Sequence, residues 1–105
     1  MSKDKTSYPK DKIKILLLEN ISDAAVEEFK EAGYTNIKKV SGALDEKELI
    51  AELKDVHLLG IRSKTQVTEK ALAKASKLLA VGCYFIGTNQ VDKEAAGDCG
   101  ISVFN

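Results

Sequence analysis

The sequence has 105 residues, 44% of them hydrophobic and 30% charged, which describes one small globular domain with a core but limited surplus stability. Sixteen Lys+Arg balance sixteen Asp+Glu, with no long block of one sign after the first dozen residues, and this argues against a nucleic-acid or membrane surface as the main partner. No apolar run approaches the ~18 residues of a membrane span and the amino terminus lacks the apolar core of a signal peptide, so the expected address is the cytoplasm.

Residues 1–12, charged and polar around the only proline, Pro9, read as a flexible leader, and residues 13–105 as one folded unit. The run Ile13 to Glu19 becomes continuously apolar, as expected of a strand covered on both faces. Ser22 can cap a helix to about Ala32, with Ala25, Val26 and Phe29 as its inner stripe and Gly33 in the left-handed position that ends it. Tyr34 to Val40 is a second strand whose lysines suit a sheet edge. Asp45 and Glu48 have capping-box spacing before a helix over 46–54, in which Leu49, Leu53 and Val56 recur on one side.

His57 to Ile61 is a third strand, too short and apolar for a helix, and it delivers Arg62, Ser63, Lys64 and Thr65 to its carboxyl edge. Thr68 caps a third helix carrying Ala71, Leu72 and Ala75, and Leu78 to Val81 forms a fourth strand. Asp92 caps a short helix interrupted by Gly97, and Ile101 to Phe104 supplies a fifth strand. Strand starts near residues 13, 34, 57, 78 and 101 describe a βα unit repeated at a steady interval. The expected fold class is therefore α/β, a flavodoxin-like doubly wound parallel sheet of about five strands in the order 2-1-3-4-5. In that order the switch point lies between the first and third strands, and ligands of such sheets bind at the carboxyl edge there.

Arg62 is the sharpest candidate, because a guanidinium matches carboxylate or phosphate bidentately, while Lys64 adds a point charge and Ser63 a donor. A solvated loop cation paired with a nearby carboxylate is the competing reading. Gly82 to Asp92 allows close backbone approach through Gly82 and Gly87 but matches neither the P-loop nor the Gly-x-Gly-x-x-Gly fingerprint. His57 reads as a hydrogen-bonded structural histidine. Of the two cysteines, Cys83 is the better candidate for exposure; with one His they make neither a disulfide framework nor a metal site. No catalytic triad, metal cluster or Walker motif is present, so the chain offers no catalytic residue and no metal ligand set.

Lys10 to Glu19, Ala32-Gly33-Tyr34-Thr35-Asn36-Ile37, Gly42-Ala43-Leu44, Gly60-Ile61-Arg62-Ser63 and Ile86-Gly87-Thr88-Asn89-Gln90-Val91-Asp92 together resemble the amino-terminal part of the D-3-phosphoglycerate dehydrogenases, within the NAD-dependent D-2-hydroxyacid dehydrogenase family. The resemblance covers nearly everything after residue 10. It implies a role in oxidising 3-phosphoglycerate to 3-phosphohydroxypyruvate during serine biosynthesis. By the same resemblance Arg62, Ser63, Lys64 and Asn105 are expected to bind substrate, and Ile86 and Gly87 to lie against the cofactor through their backbone. Lys64 stands where close relatives often carry Arg, Tyr84-Phe85 where they often have Phe-Cys, and Ser102 where Pro is common. The family's nucleotide-binding domain, with its glycine fingerprint and catalytic Arg, Glu and His, is not among these residues. The chain is therefore expected to be the amino-terminal portion of the substrate-binding domain, inactive alone, with NAD and a homo-oligomeric assembly belonging to the parent enzyme. A stand-alone flavodoxin-like anion-binding module, or an assembly unit exposing apolar surface, is the alternative.

Overall fold

The computed structural model describes residues 9–84 and 90–104. Five parallel strands, β1 (Ile15–Leu17), β2 (Ile37–Lys39), β3 (Leu58–Ile61), β4 (Ala80–Cys83) and β5 (Ser102–Phe104), form one sheet in the order β2-β1-β3-β4-β5. This is the expected order. Four helices connect them: α1 (Asp23–Glu31), α2 (Glu46–Glu52), α3 (Glu69–Lys74) and α4 (Lys93–Asp98).

The helix starts follow from side chains that satisfy otherwise orphaned N–H groups. Asp45 accepts from the Glu48 N–H at 2.8 Å while the Glu48 carboxylate accepts from the Asp45 N–H at 3.1 Å, so the expected capping box forms. Thr68 accepts from the Ala71 N–H at 3.2 Å, and Asp92 from the Ala95 N–H at 3.0 Å. Ser22 precedes α1 without a side-chain cap bond. Gly33, at φ +103°, ends that helix, and the Tyr34 N–H closes back on the Phe29 carbonyl at 3.0 Å.

Several boundaries differ from the expected ones. The apolar run 13–19 yields only a three-residue β1, because Glu19 and Asn20 turn to φ +62° and +54°. β4 begins two residues after Leu78, since the Leu78 N–H is used by the Ala75 carbonyl and the Leu79 N–H by the His57 carbonyl before the ladder starts. Helix α4 continues through Gly97, around which there is open space, and ends instead at Gly100 (φ +73°), with the Ile101 N–H returning to the Ala96 carbonyl at 2.8 Å. At the other end of the chain, Lys10–Lys12 forms a single 3-10 turn, and Lys10 reaches the Ala32 carbonyl and the Tyr34 ring. The expectation for Cys83 was wrong: it lies on a central strand, 4% exposed, while Cys99 is exposed. Burial accordingly pushes the Cys83 thiol above its ordinary value.

Alternation along the strands divides the core between the two faces of the sheet. Leu16, Leu18, Leu59, Ile61 and Val81 pack against Leu49, Leu53, Leu72 and Ala96 of the α2–α4 side. Ile15 and Leu17 pack with Ile21, Ala25 and Phe29 on the α1 side. On that second face a shallow apolar recess of about 70 Å³ lies over β3–β5, between Leu58, Gly60, Ala80, Gly82, Tyr84 and Phe104.

Candidate functional site

The ends of β1 and β3 stand side by side, with Leu17 opposite Gly60 and the Leu18 N–H bonded to the Gly60 carbonyl at 2.9 Å. Beyond that point β1 turns sharply through two non-glycine residues in the left-handed region, a conformation costing about 1–2 kcal/mol each. The turn is tied down by the Glu19 N–H on the Gly42 carbonyl and the Asn20 N–H on the Val40 carbonyl, both at 3.1 Å.

Turning in this way carries the Glu19 side chain under the loop that follows β3. One of its carboxylate oxygens accepts from the N–H groups of Arg62 at 2.8 Å and Thr65 at 3.0 Å, and the other accepts from the Lys64 N–H at 2.8 Å. Partial burial resists the negative charge, but the hydrogen bonds from Lys64, Arg62 and Thr65 outweigh it and hold the carboxyl below its ordinary value. Thr65 is fully buried, whereas Arg62, Ser63 and Lys64 are exposed. The outer side of the loop meets the next connection, where the Gln90 side-chain amide donates to the Ser63 carbonyl at 3.4 Å.

Glu19, Arg62, Ser63 and Lys64 line one side of a cleft of about 310 Å³, and Ser41, Gly42 and Ala43 line the other. Arg62 also borders a second cleft, of about 270 Å³, with Ile21, Ser22 and Tyr84. Neither Arg62 nor Lys64 forms an ion pair with a described residue, which counts against the reading of Arg62 as a loop cation neutralised by a neighbouring carboxylate. Two cations with uncommitted charge on a cleft wall suit an anionic ligand of a few heavy atoms.

The structure thus brings Arg62, Ser63 and Lys64 together at the switch point. Ile86, Gly87 and Asn105, the other residues expected to contact ligands, lie outside the described residues. His57 has a structural setting: 6% exposed, it accepts the Lys14 N–H at its Nδ1 at 3.0 Å, and its own N–H bonds the Lys14 carbonyl at 2.9 Å. No group of three or more metal-type side chains occurs among the described residues, and no helix there is long and apolar enough to cross a membrane. Sequence reasoning missed Glu19, taking it as the end of a strand. The available signal was a carboxylate closing an apolar run at the carboxyl edge of β1, next to the cationic loop.

A parallel sheet with a cationic loop at its switch point is the layout of a ligand-binding doubly wound α/β protein. The sequence model of the D-isomer specific 2-hydroxyacid dehydrogenase catalytic domain matches residues 15–105, and the chain belongs to this family. Among its curated relatives, D-3-phosphoglycerate dehydrogenase of Dictyostelium discoideum is 56% identical over 95% of this chain and 24% of its own length. The enzyme of the same name from Escherichia coli K12 is 50% identical over 96% of this chain and 25% of its own. The chain therefore spans about a quarter of the length of these relatives. Solved structures agree in fold: the PH0520 protein of Pyrococcus horikoshii superposes with a TM-score of 0.78 at 24% identity, over 87% of this chain and 26% of that one. The NAD+-bound 3-phosphoglycerate dehydrogenase of Entamoeba histolytica gives 0.71 at 18% identity, over 87% of this chain and 32% of that one.

Proposed function

We propose that residues 13–105 form the amino-terminal portion of the substrate-binding domain of an NAD-dependent D-3-phosphoglycerate dehydrogenase, which oxidises 3-phosphoglycerate to 3-phosphohydroxypyruvate in serine biosynthesis. The observation that carries this reading is 56% identity to a D-3-phosphoglycerate dehydrogenase across 95% of the chain, and the exposed cations beside the cleft are consistent with it. Arg62 binds a carboxylate or phosphate of the substrate bidentately, Lys64 adds charge, and Ser63 donates a hydrogen bond. Asn105 also contacts substrate, and Ile86 and Gly87 meet the cofactor through their backbone.

The oxidation removes a hydride from the carbinol carbon and a proton from its hydroxyl, so it needs a hydride acceptor and a base. Glu19 does not fit the role of base: both its oxygens already accept N–H groups and its affinity for a proton is lowered. Nor do the described residues fit a dinucleotide pyrophosphate. The sequence has no Gly-x-Gly-x-x-Gly, and Asp45, Thr68 and Asp92 each engage an N–H at the start of α2, α3 and α4, which leaves α1 alone without a side-chain cap and without a glycine-rich turn before it. Cofactor and proton transfer are therefore assigned to the remaining part of a protein as long as the relatives, which is also where a homo-oligomeric, cytoplasmic enzyme would be completed.

The test is NADH formation from 3-phosphoglycerate and NAD. These 105 residues alone are expected to give none, and the natural full-length protein to give turnover with a KM that Arg62→Ala raises roughly ten-fold or more. Turnover by the 105 residues alone, or a KM indifferent to Arg62→Ala, would overturn the reading.

A further inference from the structure

Three N–H groups of the Arg62–Thr65 loop are held by Glu19, a residue in the turn after β1 that no ligand role explains. We infer that Glu19 is a positioning residue: its carboxylate stands in for an anion beneath the loop, occupies the N–H groups of Arg62, Lys64 and Thr65, and thereby aims the Arg62 and Lys64 side chains at the cleft. This rests on the proposed reading of that loop as the anion-binding wall.

Three observations converge on it. The first is stoichiometric: three of the four N–H groups from 62 to 65 point at one side chain, so the loop is folded around that carboxylate. The second is conformational. Glu19 and Asn20 both hold left-handed backbone that most residues avoid, and that turn delivers the carboxylate. The third concerns the ligand. With these backbone donors occupied, an incoming anion meets side chains alone, and a fixed negative charge lies at the base of the cleft. Such a wall binds anions through two adjustable cationic arms rather than through a rigid backbone nest.

The experiment uses the natural full-length protein and peptide-resolved hydrogen exchange over residues 61–66, with and without inorganic phosphate as the probe. In the wild type these amides are protected and phosphate slows them further. In Glu19→Gln, which offers one acceptor oxygen in place of two, they are expected to exchange roughly ten-fold faster, and phosphate at the same concentration no longer slows them. A peptide covering 80–83 reports global folding in the same run. Should Glu19→Gln open that strand as well, Glu19→Asp, which keeps the charge one methylene short, is read in the same way. Unchanged exchange at 61–66, a freed loop that phosphate still protects, or a wild-type loop indifferent to phosphate each overturns the inference.

Turnover supplies an independent readout. Glu19→Gln should raise the KM for 3-phosphoglycerate roughly ten-fold with kcat within about three-fold, and should add less to an Arg62→Ala background than to the wild type because it acts partly through that residue. Fully additive losses would show that Glu19 works by another route. A wild-type protein that does not oxidise 3-phosphoglycerate would remove the proposed function, while the exchange measurement with phosphate still decides the role of Glu19.

Discussion

The Glu19 carboxylate accepts the backbone N–H of Arg62 at 2.8 Å, joining the end of β1 to the loop after β3 across 43 positions of sequence. The same side chain takes the N–H groups of Lys64 and Thr65. A loop rich in donors is thus held by an internal acceptor, and the charges left for a ligand are those of the side chains.

Acid should loosen this arrangement. The folded-state pKa of Glu19 lies below its ordinary value of 4.5, so its contribution to stability is fully present above about pH 4.5 and is lost as pH falls through the lower folded value. Asp23 and Asp55, paired with Lys39 and Lys14, are lowered as well and add to the loss in acid. Urea unfolding between pH 3 and 6 should therefore show a slope that Glu19→Gln makes shallower without abolishing it. An identical slope in the variant would mean that the carboxylate is not held as described.

His57, the only histidine, should give a separate inflection nearer neutrality. Burial lowers its pKa below 6.5, the Lys77 charge adds to this, and Asp55 opposes it. The unfolded chain therefore takes up the proton first as pH falls through about 6.5. Stability declines from there and levels off below the folded pKa, with the neutral ring favoured because its Nδ1 accepts the Lys14 N–H. Thermal unfolding at pH 8 and pH 5.5 should show the loss, and His57→Gln should remove it.

Gly60 leaves no room for a side chain. A Cβ there would lie 2.6 Å from Leu17 Cδ2, 3.1 Å from Tyr84 Cε1 and 3.2 Å from Ile21 Cδ1, and Leu17 and Ile21 are each 1% exposed and unable to withdraw freely. Gly60→Ala should cost about 1–3 kcal/mol in denaturant unfolding, the usual range for overpacking a core. Gly97→Ala, in open space within α4, should instead stabilise by roughly 0.5–1 kcal/mol.

The capping box of α2 offers a local check on the helix assignments. Asp45→Ala removes the acceptor for the Glu48 N–H and should destabilise the fold by about 1 kcal/mol. Asp45→Asn, which keeps an acceptor oxygen, should recover most of that loss.

The sheet order was legible in the sequence because it rests on redundant signals: four apolar runs, caps at Asp45, Thr68 and Asp92, and a lysine-bearing second strand that suits an edge. Strand ends were less legible. The stopping point of β1 depends on backbone turning at Glu19 and Asn20, residues whose types do not demand positive φ, and the start of β4 depends on where Leu78 and Leu79 spend their N–H groups. Arg62 and Lys64 could be picked out because cations after a buried strand are conspicuous. Glu19 was harder to see, since the one local signal is a carboxylate closing an apolar run and its partners lie more than 40 residues away. Cys83 was misjudged for a related reason: a residue after glycine looks terminal in one dimension, yet it pairs with Ile61 in the middle of the sheet.

That long reach between Glu19 and its loop also sets an order of events during folding. Contacts between residues distant in sequence form late, because chain closure must precede them. The loop after β3 can take its final shape only once β1 and β3 lie in register with Leu17 against Gly60. A partly folded chain therefore carries the cations of the site without its geometry, and a ligand that requires that geometry cannot capture the chain early. Ligand added during refolding should act by slowing unfolding of the finished sheet and should leave the rate of its assembly unchanged.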